Sequence, residues 1–257
     1  MALFQCSFFS ESLRISASMN VILPQACRSQ IGMDSTTDAE PPAVLYLLHG
    51  ITDDHSTWLR RTSIERYVTK LPLAVVMPAV NRSFYTDIGD DAYWTFISEE
   101  LPQIVQSFFR VSKDWKKTFV AGLSMGGYGA FKLGLTCPDR YAAAASLSGA
   151  LDVVSAAKAH TDICNFDRIF GSSEALAGSS NDLFTLINRF PSDSETKFYQ
   201  CCGTEDFLYQ DNLTFKTRAR QAGLNLTFEE HPDAVHNWDY WDQQIQRVLE
   251  WLPLGEA

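Results

Sequence analysis

A chain of 257 residues, 46% hydrophobic and 12% aromatic, can bury a full core and has the size of one α/β domain. Its formal net charge of −10, with no run of like charges, argues against a nucleic-acid partner, which needs clustered Lys and Arg. No window approaches the roughly 18 apolar residues of a membrane span. The N-terminus Met1-Ala-Leu-Phe-Gln-Cys-Ser-Phe-Phe-Ser10 lacks a basic n-region, so no signal peptide is expected.

Two extended segments come first, near residues 3–9 and 13–23. In the second, Leu13, Ile15, Ala17, Met19 and Val21 alternate with polar residues, as in a half-buried antiparallel strand. Residues 24–42 are small and polar and read as a long, mobile hairpin loop. Ala43–Leu48 and Leu73–Met77 are continuous apolar runs, hence strands covered on both faces. Helical periodicity lies near 63–68 and again over Tyr93–Phe109. Thr118–Ala121 is a further buried strand, followed by the turn Gly122-Leu-Ser124-Met-Gly126 and a helical pattern from about Gly127 to Leu135.

Ala142–Leu147 is the next strand. The rhythm then breaks over 150–195, where short helical pieces near 166–170 and 181–190 suggest a cap-like insertion over the strand ends. Lys197–Cys202 is a strand, Gln210–Gln221 a helix stopped by Gly223, 224–230 the last strand and Trp238–Leu252 a closing helix. No linker divides the chain, so one domain over 1–257 is expected. Its class is α/β, with a mostly parallel central sheet flanked by helices and an antiparallel N-terminal edge.

Strand, G-x-S-x-G and helix in succession form the context of a nucleophile elbow, in which the tight turn exposes the serine hydroxyl above the sheet. The helix that follows aims its free N–H groups and positive dipole end at the place where an oxyanion would form. Ser124 is therefore the candidate nucleophile. It needs a base, and an imidazole supplies one near neutral pH. His236 sits in the loop after the last strand, where it can turn back over the elbow; His231, at the strand end before Pro232, is the competitor and reads as structural. His55 and His160 read as surface residues.

An orienting acid is expected after the strand ending at Cys202. Asp206 is preferred to Glu205 and Asp211, because it follows the Gly203 turn and precedes the apolar Phe207-Leu208. The amides of Ile51, after His49-Gly50, and of Met125 are the expected oxyanion donors. Trp58, Tyr85 and Trp238 are candidate substrate-binding residues. The chain order Ser, Asp, His is that of α/β-hydrolases.

The six cysteines (6, 27, 137, 164, 201 and 202) show neither C-x-x-C nor zinc spacing. Free thiols in a reducing cytoplasm are expected, with no metal and no cofactor. Adjacent Cys201-Cys202 read as strand filling.

With these residues placed, the chain resembles the esterase D family, which includes S-formylglutathione hydrolases and, closer here, bacterial tributyrin-type and acetyl esterases. The resemblance rests on Leu45-Tyr-Leu-Leu-His-Gly50, Trp58-Leu-Arg-Arg-Thr62, Phe84-Tyr-Thr-Asp87 and Glu99-Glu-Leu-Pro102. It continues through Ala121-Gly-Leu-Ser-Met-Gly-Gly-Tyr-Gly129, Ser146-Leu-Ser-Gly149, Gly203-Thr-Glu-Asp-Phe-Leu-Tyr209 and His236-Asn-Trp-Asp-Tyr-Trp241. It implies an α/β-hydrolase fold, a Ser124–Asp206–His236 triad and oxyanion donors at Ile51 and Met125. It also implies hydrolysis of short acyl esters through an acyl-serine.

S-formylglutathione hydrolases typically carry Ser-Gly-Leu-Thr-Cys at the oxyanion loop, where this chain has His49-Gly-Ile-Thr-Asp53. That departure lowers the expectation of a glutathione thioester as substrate. Thioester or feruloyl-type ester hydrolysis are the alternative activities, and a non-catalytic binding module on the same fold would lack a triad member. The expected partner is a small-molecule ester, with homo-oligomerisation left open.

Overall fold

The computed structural model describes residues 1–27, 29, 31, 40–159 and 164–255; His160 and most of the expected mobile loop lie outside them. Eight strands form one sheet: β1 (Ala2–Ser10), β2 (Ile15–Leu23), β3 (Ala43–Leu48), β4 (Leu73–Pro78), β5 (Thr118–Leu123), β6 (Ala143–Leu147), β7 (Lys197–Gly203) and β8 (Leu226–His231). Their order is β1-β2-β4-β3-β5-β6-β7-β8. β1 and β2 are antiparallel to each other and β2 to β4, and every other pair is parallel. This is the mostly parallel sheet with an antiparallel N-terminal edge that the sequence predicts.

The apolar runs become central strands because both of their faces are covered. In β3, Val44, Tyr46 and Leu48 enter the core on one face of the sheet, while Ala43, Leu45 and Leu47 enter the core on the other, as a period of two requires. At the sheet's margins the alternation weakens. Ile15 of β2 is exposed, whereas Asn20, where β2 lies between β1 and β4, is buried and donates from Nδ2 to the His55 carbonyl at 2.9 Å. Leu226 and Phe228 of the edge strand β8 are only half-buried, and Lys216 Nζ lies 4.0 Å from the Phe228 ring centroid.

Helices α1 (Thr57–Arg61) and α2 (Ile64–Tyr67) lie between β3 and β4. A two-residue hairpin (Asp87–Ile88 with Asp91–Ala92), too short to leave a pattern, precedes the helix expected from Tyr93. That helix passes through a π-helical turn, Phe96–Glu100, before continuing as α3 (Leu101–Phe108). Pro102 explains the defect, since it has no N–H for the Ser98 carbonyl. Arg140 Nη1 donates to that carbonyl instead, at 2.5 Å. From the same turn, Glu100 accepts from Ser10 Oγ, Glu11 N and Ser12 N at 2.6, 2.7 and 3.1 Å, fastening the β1–β2 turn to the body.

After the elbow helix α4 (Met125–Thr136), residues 150–195 hold α5 (Val153–Lys158), α6 (Phe166–Phe170), α7 (Ser173–Leu176) and α8 (Leu183–Arg189). Only α6 and α8 are anticipated by the sequence; α5 and α7 are too short to show periodicity. Each of the four is capped by a side chain, from Asp152, Asn165, Ser172 and Asp182 in turn, which stabilises helices too short to persist alone. α9 (Tyr209–Gln221) ends before Gly223, at φ +75°, and α10 (Trp238–Trp251) closes the chain. Cys201 and Cys202 are free and buried in β7, as strand filling.

Candidate active site

The parallel strands end in register: Leu48 pairs with Gly122, Leu123 with Leu147, and Leu147 with Cys201. The loops that leave them therefore meet at one rim, where open α/β sheets place their sites. Ser124 stands at the centre with φ 53° and ψ −117°, a strained conformation for a residue with a side chain. The surroundings enforce it. The Ser124 amide donates to the Leu147 carbonyl at 2.9 Å, and its carbonyl accepts from the amides of Tyr128 and Ala150, both at 3.1 Å. Gly126 lets the elbow lie against β3: a Cβ there would stand 2.5 Å from the Leu48 carbonyl oxygen and 2.8 Å from that of His49.

His236 Nε2 lies 3.1 Å from Ser124 Oγ, and its Nδ1 lies 3.0 and 2.9 Å from the two Asp206 carboxylate oxygens. A carboxylate only accepts, so Nδ1 carries the proton and Nε2 is left to accept from the serine hydroxyl. The Asp206 side chain is wholly buried, and its Oδ1 also accepts from the Leu208 amide at 2.9 Å. Phe207 and Trp241 flank the imidazole, with ring centroids 4.5 and 4.8 Å away. The arrangement can draw a proton from Ser124 while keeping the resulting imidazolium paired.

The three expected triad residues are thus in contact across 112 and 30 residues of chain. Glu205 is not part of the cluster, and Asp211 lies elsewhere on the cavity wall. His231 takes a structural position, with Nδ1 2.9 Å from the Tyr240 hydroxyl.

Met125 N is the first amide of α4 and has no carbonyl within the helix to receive it. Ile51 follows Gly50, at which a Cβ would come 3.8 Å from the Ser124 Cβ, so both expected oxyanion donors border the serine. The Ile51 loop is held from beneath by His49, whose Nε2 accepts from the Val80 amide at 3.1 Å while Nδ1 donates to the Gly50 carbonyl at 2.7 Å. Burial pulls the pKa of His49 down to about 4, so this imidazole serves as a neutral bracket.

Two of the expected substrate-binding aromatics need correction. Trp58 and Tyr85 are fully buried and stand behind the cavity wall. Trp58 Nε1 donates to the Leu48 carbonyl at 3.1 Å, and its ring meets that of Trp238 edge-on at 5.1 Å. Tyr85 donates from its hydroxyl to the His49 carbonyl at 2.9 Å. Both are aromatic residues with a polar tip that needs an internal partner once buried, and the two carbonyls that lead into the oxyanion loop supply it. Trp238 does line the cavity.

That cavity, about 790 Å³, is bounded by Ser124, the Ile51 loop, Met125, Trp238, Trp241 and Phe84, and by Ser155, Ala156 and Phe166 from the insertion. The insertion is anchored through aromatic contacts of Phe84 with Phe166 and Phe170, at 5.4 and 5.5 Å, and by Tyr128 donating to the Asn181 carbonyl at 2.8 Å. Residues the sequence reading passed over include Ser155 and Phe166, and Lys132. Lys132 Nζ is buried and donates to the Tyr85 carbonyl and Thr86 Oγ1 at 2.9 and 3.0 Å. Burial lowers its pKa to about 7. A lysine inside the G-G-Y-G-A-F-K helix pattern is the one sequence signal that could have pointed to it. Among the described residues no His, Cys, Asp and Glu group could hold a metal ion, and no helix is long and apolar enough to cross a membrane.

The chain is similar to known esterases and serine hydrolases. Residues 10–252 match the Esterase family, described as "Putative esterase". An acetyl esterase of Caldicellulosiruptor saccharolyticus is 30% identical over 263 residues, covering 98% of each chain. Among solved structures, the substrate-bound fluorophosphonate-binding serine hydrolase F (FphF) of Staphylococcus aureus is 33% identical, with a TM-score of 0.87 and 98% of each chain covered. An S-formylglutathione hydrolase (FrmB) of the same organism is 32% identical, with a TM-score of 0.83 and again 98% of each chain covered.

Proposed function

The chain belongs to the esterase family that its residues 10–252 match, an α/β-hydrolase and carboxylic ester hydrolase, and from that premise we propose that it cleaves short acyl esters through an acyl–Ser124 intermediate. The observation that carries the reading is the His236 imidazole, 3.1 Å from Ser124 Oγ on one side and 2.9 Å from Asp206 on the other. His236 takes the hydroxyl proton as Ser124 attacks the ester carbonyl, and Asp206 stabilises the imidazolium. The amides of Ile51 and Met125 receive the oxyanion, each worth roughly 3 kcal/mol by analogy with well-measured oxyanion donors. His236 then passes its proton to the departing alkoxide, and a water activated by the same imidazole releases the acid.

A short acyl group is favoured by the confining wall of Trp238, Trp241, Phe166 and Met125, and by the full-length likeness to an acetyl esterase. The test is a series of p-nitrophenyl esters from acetate to laurate with wild type and Ser124→Ala. kcat/KM should fall steeply with chain length, and the variant should lose turnover and fluorophosphonate labelling. Faster hydrolysis of the long esters would defeat the acyl-length assignment, and a fully active Ser124→Ala would defeat the mechanism.

Thioester hydrolysis is the second reading, favoured by the likeness to the S-formylglutathione hydrolase. Against it, Asp53 stands in the oxyanion loop where that activity's usual motif has cysteine. Comparing kcat/KM for formylglutathione and phenyl acetate separates the two.

A further inference from the structure

The charges around the Ser124 cavity are unevenly placed. Among its described lining residues are two carboxyl groups, Asp53 and Asp211, and no Lys or Arg. Burial raises the pKa of Asp53, opposed in part by the Gly50 amide that donates to it and by the charge of Arg61. Asp211 has neither kind of partner among the described residues. It projects from the first turn of α9, half-buried beside Phe207 and Leu208, and among the described residues no side chain or amide donates to it.

Its charged neighbour is another acid, Asp152, whose own oxygens are committed to capping α5 through Ser155 N and Oγ at 2.9 and 2.8 Å. Burial, and then Asp152, push the Asp211 carboxyl up to about 6. At that value it is mostly ionised at neutral pH, and among the described residues it has no counter-charge. Arg82 and Arg168 line a neighbouring basin of about 800 Å³ that shares Ile51, Thr52 and Asp53 with this cavity and also holds Asp91, and neither arginine is among the described residues lining the Ser124 cavity.

A desolvated carboxylate facing a cavity is stabilised by whatever cation enters it, and aromatic walls such as Trp238, Trp241 and Phe207 add quadrupole attraction for the same charge. Resting on the esterase reading above, we propose that Asp211 makes the Ser124 cavity selective for substrate charge, favouring esters that carry an ammonium group over neutral isosteres and rejecting esters that carry a carboxylate. Glutathione thioesters, with two carboxylates and one ammonium, fall on the disfavoured side. An ion pair across a partly hydrated cavity is worth on the order of tenfold in kcat/KM.

Two matched series test this, one for each side of the scissile bond. Acetylthiocholine is compared with S-(3,3-dimethylbutyl) thioacetate. The p-nitrophenyl ester of 4-(trimethylammonio)butanoate is compared with that of 5,5-dimethylhexanoate and with p-nitrophenyl hemiglutarate. In at least one series the cationic ester should exceed its neutral isostere by about tenfold, and the hemiglutarate should be the slowest of its set. Asp211→Asn should bring the cation-to-neutral ratio near one, while Asp211→Glu retains it.

A ratio near one in both wild-type series, a preference that survives in Asp211→Asn, or faster hydrolysis of the hemiglutarate would overturn the proposal. The wild-type ratios decide even if the variants fold poorly. If the neutral esters and p-nitrophenyl acetate are not turned over at all, the esterase reading itself has failed, an outcome distinct from loss of charge selectivity.

Discussion

Removing one oxygen atom from Tyr85 should reveal how the oxyanion loop is held. In Tyr85→Phe the ring stays against Gly129, whose α-carbon leaves no space for a Cβ beside it. The backbone also stays, because Lys132 Nζ still donates to the residue-85 carbonyl at 2.9 Å. The left-handed φ of 50° strains Phe and Tyr alike and cancels. What is lost is the 2.9 Å hydrogen bond to the His49 carbonyl, between groups that are 0% and 1% exposed. A buried carbonyl stripped of its donor costs about 1–3 kcal/mol. At about 2–4 °C per kcal/mol for a chain of this size, that is a Tm lower by roughly 2–12 °C.

The His49 carbonyl is one residue from the Gly50–Ile51 turn, so the proposed oxyanion amide loosens as well. The amide is still present, so kcat for p-nitrophenyl acetate should drop by about tenfold, less than the 10²–10³ seen when such a donor is deleted outright. KM should change little. Thermal unfolding and steady-state kinetics on the same preparation decide the matter. A variant with wild-type Tm and wild-type kcat would show that His49 brackets the loop without help from Tyr85.

Asp206→Asn should lower kcat by about 10⁴ at neutral pH through the wrong imidazole tautomer, and a loss below tenfold in ester turnover would remove Asp206 from the orienting role. Gly126→Ala should cost at least about 2 kcal/mol in urea unfolding, because the atoms its Cβ would meet are the Leu48 and His49 backbone and cannot turn aside; an unchanged midpoint would refute that close approach. His49 gives the pH dependence. Its folded pKa of about 4 lies below the usual value near 6.5, so the unfolded chain binds more protons between these values. The contribution is complete above pH 6.5 and is lost as pH falls toward 4, on the order of 3 kcal/mol. His49→Gln should flatten that part of the stability profile, and parallel profiles for the two proteins would contradict it.

The parts of the site legible in sequence are those that local pattern encodes. The elbow shows because glycine is required at 122 and 126 by backbone contact, and the strand and helix around Ser124 each have a period. Asp206 and His236 show because each follows a strand whose end is marked by Gly203 or by the close of an alternating run. Aromatic side chains in loops carry no such marker. Trp58, ten residues beyond Leu48, and Tyr85, 36 beyond His49, read from sequence as facing substrate, yet their polar tips point at the Leu48 and His49 carbonyls. What leaves room for the Tyr85 ring, a bare Gly129 beneath it, lies 44 residues away in sequence and is visible only once α4 is packed. In the sequence Asp211 stands out only as a rival to Asp206. Its position in the first turn of α9 gives it an ordinary helix-dipole reading, which hides the apolar cavity in front of it.

Backbone strain shows how these parts act together. Ser124, Ser148, Asn81, Phe84 and Tyr85 all have positive φ without being glycine, and all lie just past the carboxyl ends of β4, β5 and β6. Each such conformation costs about 1–3 kcal/mol and persists only where its surroundings impose it. Here the fixing contacts are specific: Ser124 N to the Leu147 carbonyl, Ser148 N to the Cys201 carbonyl at 2.8 Å, Asn81 Nδ2 to the Tyr93 hydroxyl at 2.6 Å, and Lys132 to the Tyr85 carbonyl. The strain bends each loop sharply enough to bring hydroxyl, amides and cavity wall around one point, which extended exits from the strands would spread apart. Stability stored in the fully buried strands β3 to β7 offsets that cost. Mutations that relax the rim, such as Ser148→Gly, should accordingly be tolerated better in stability than in turnover.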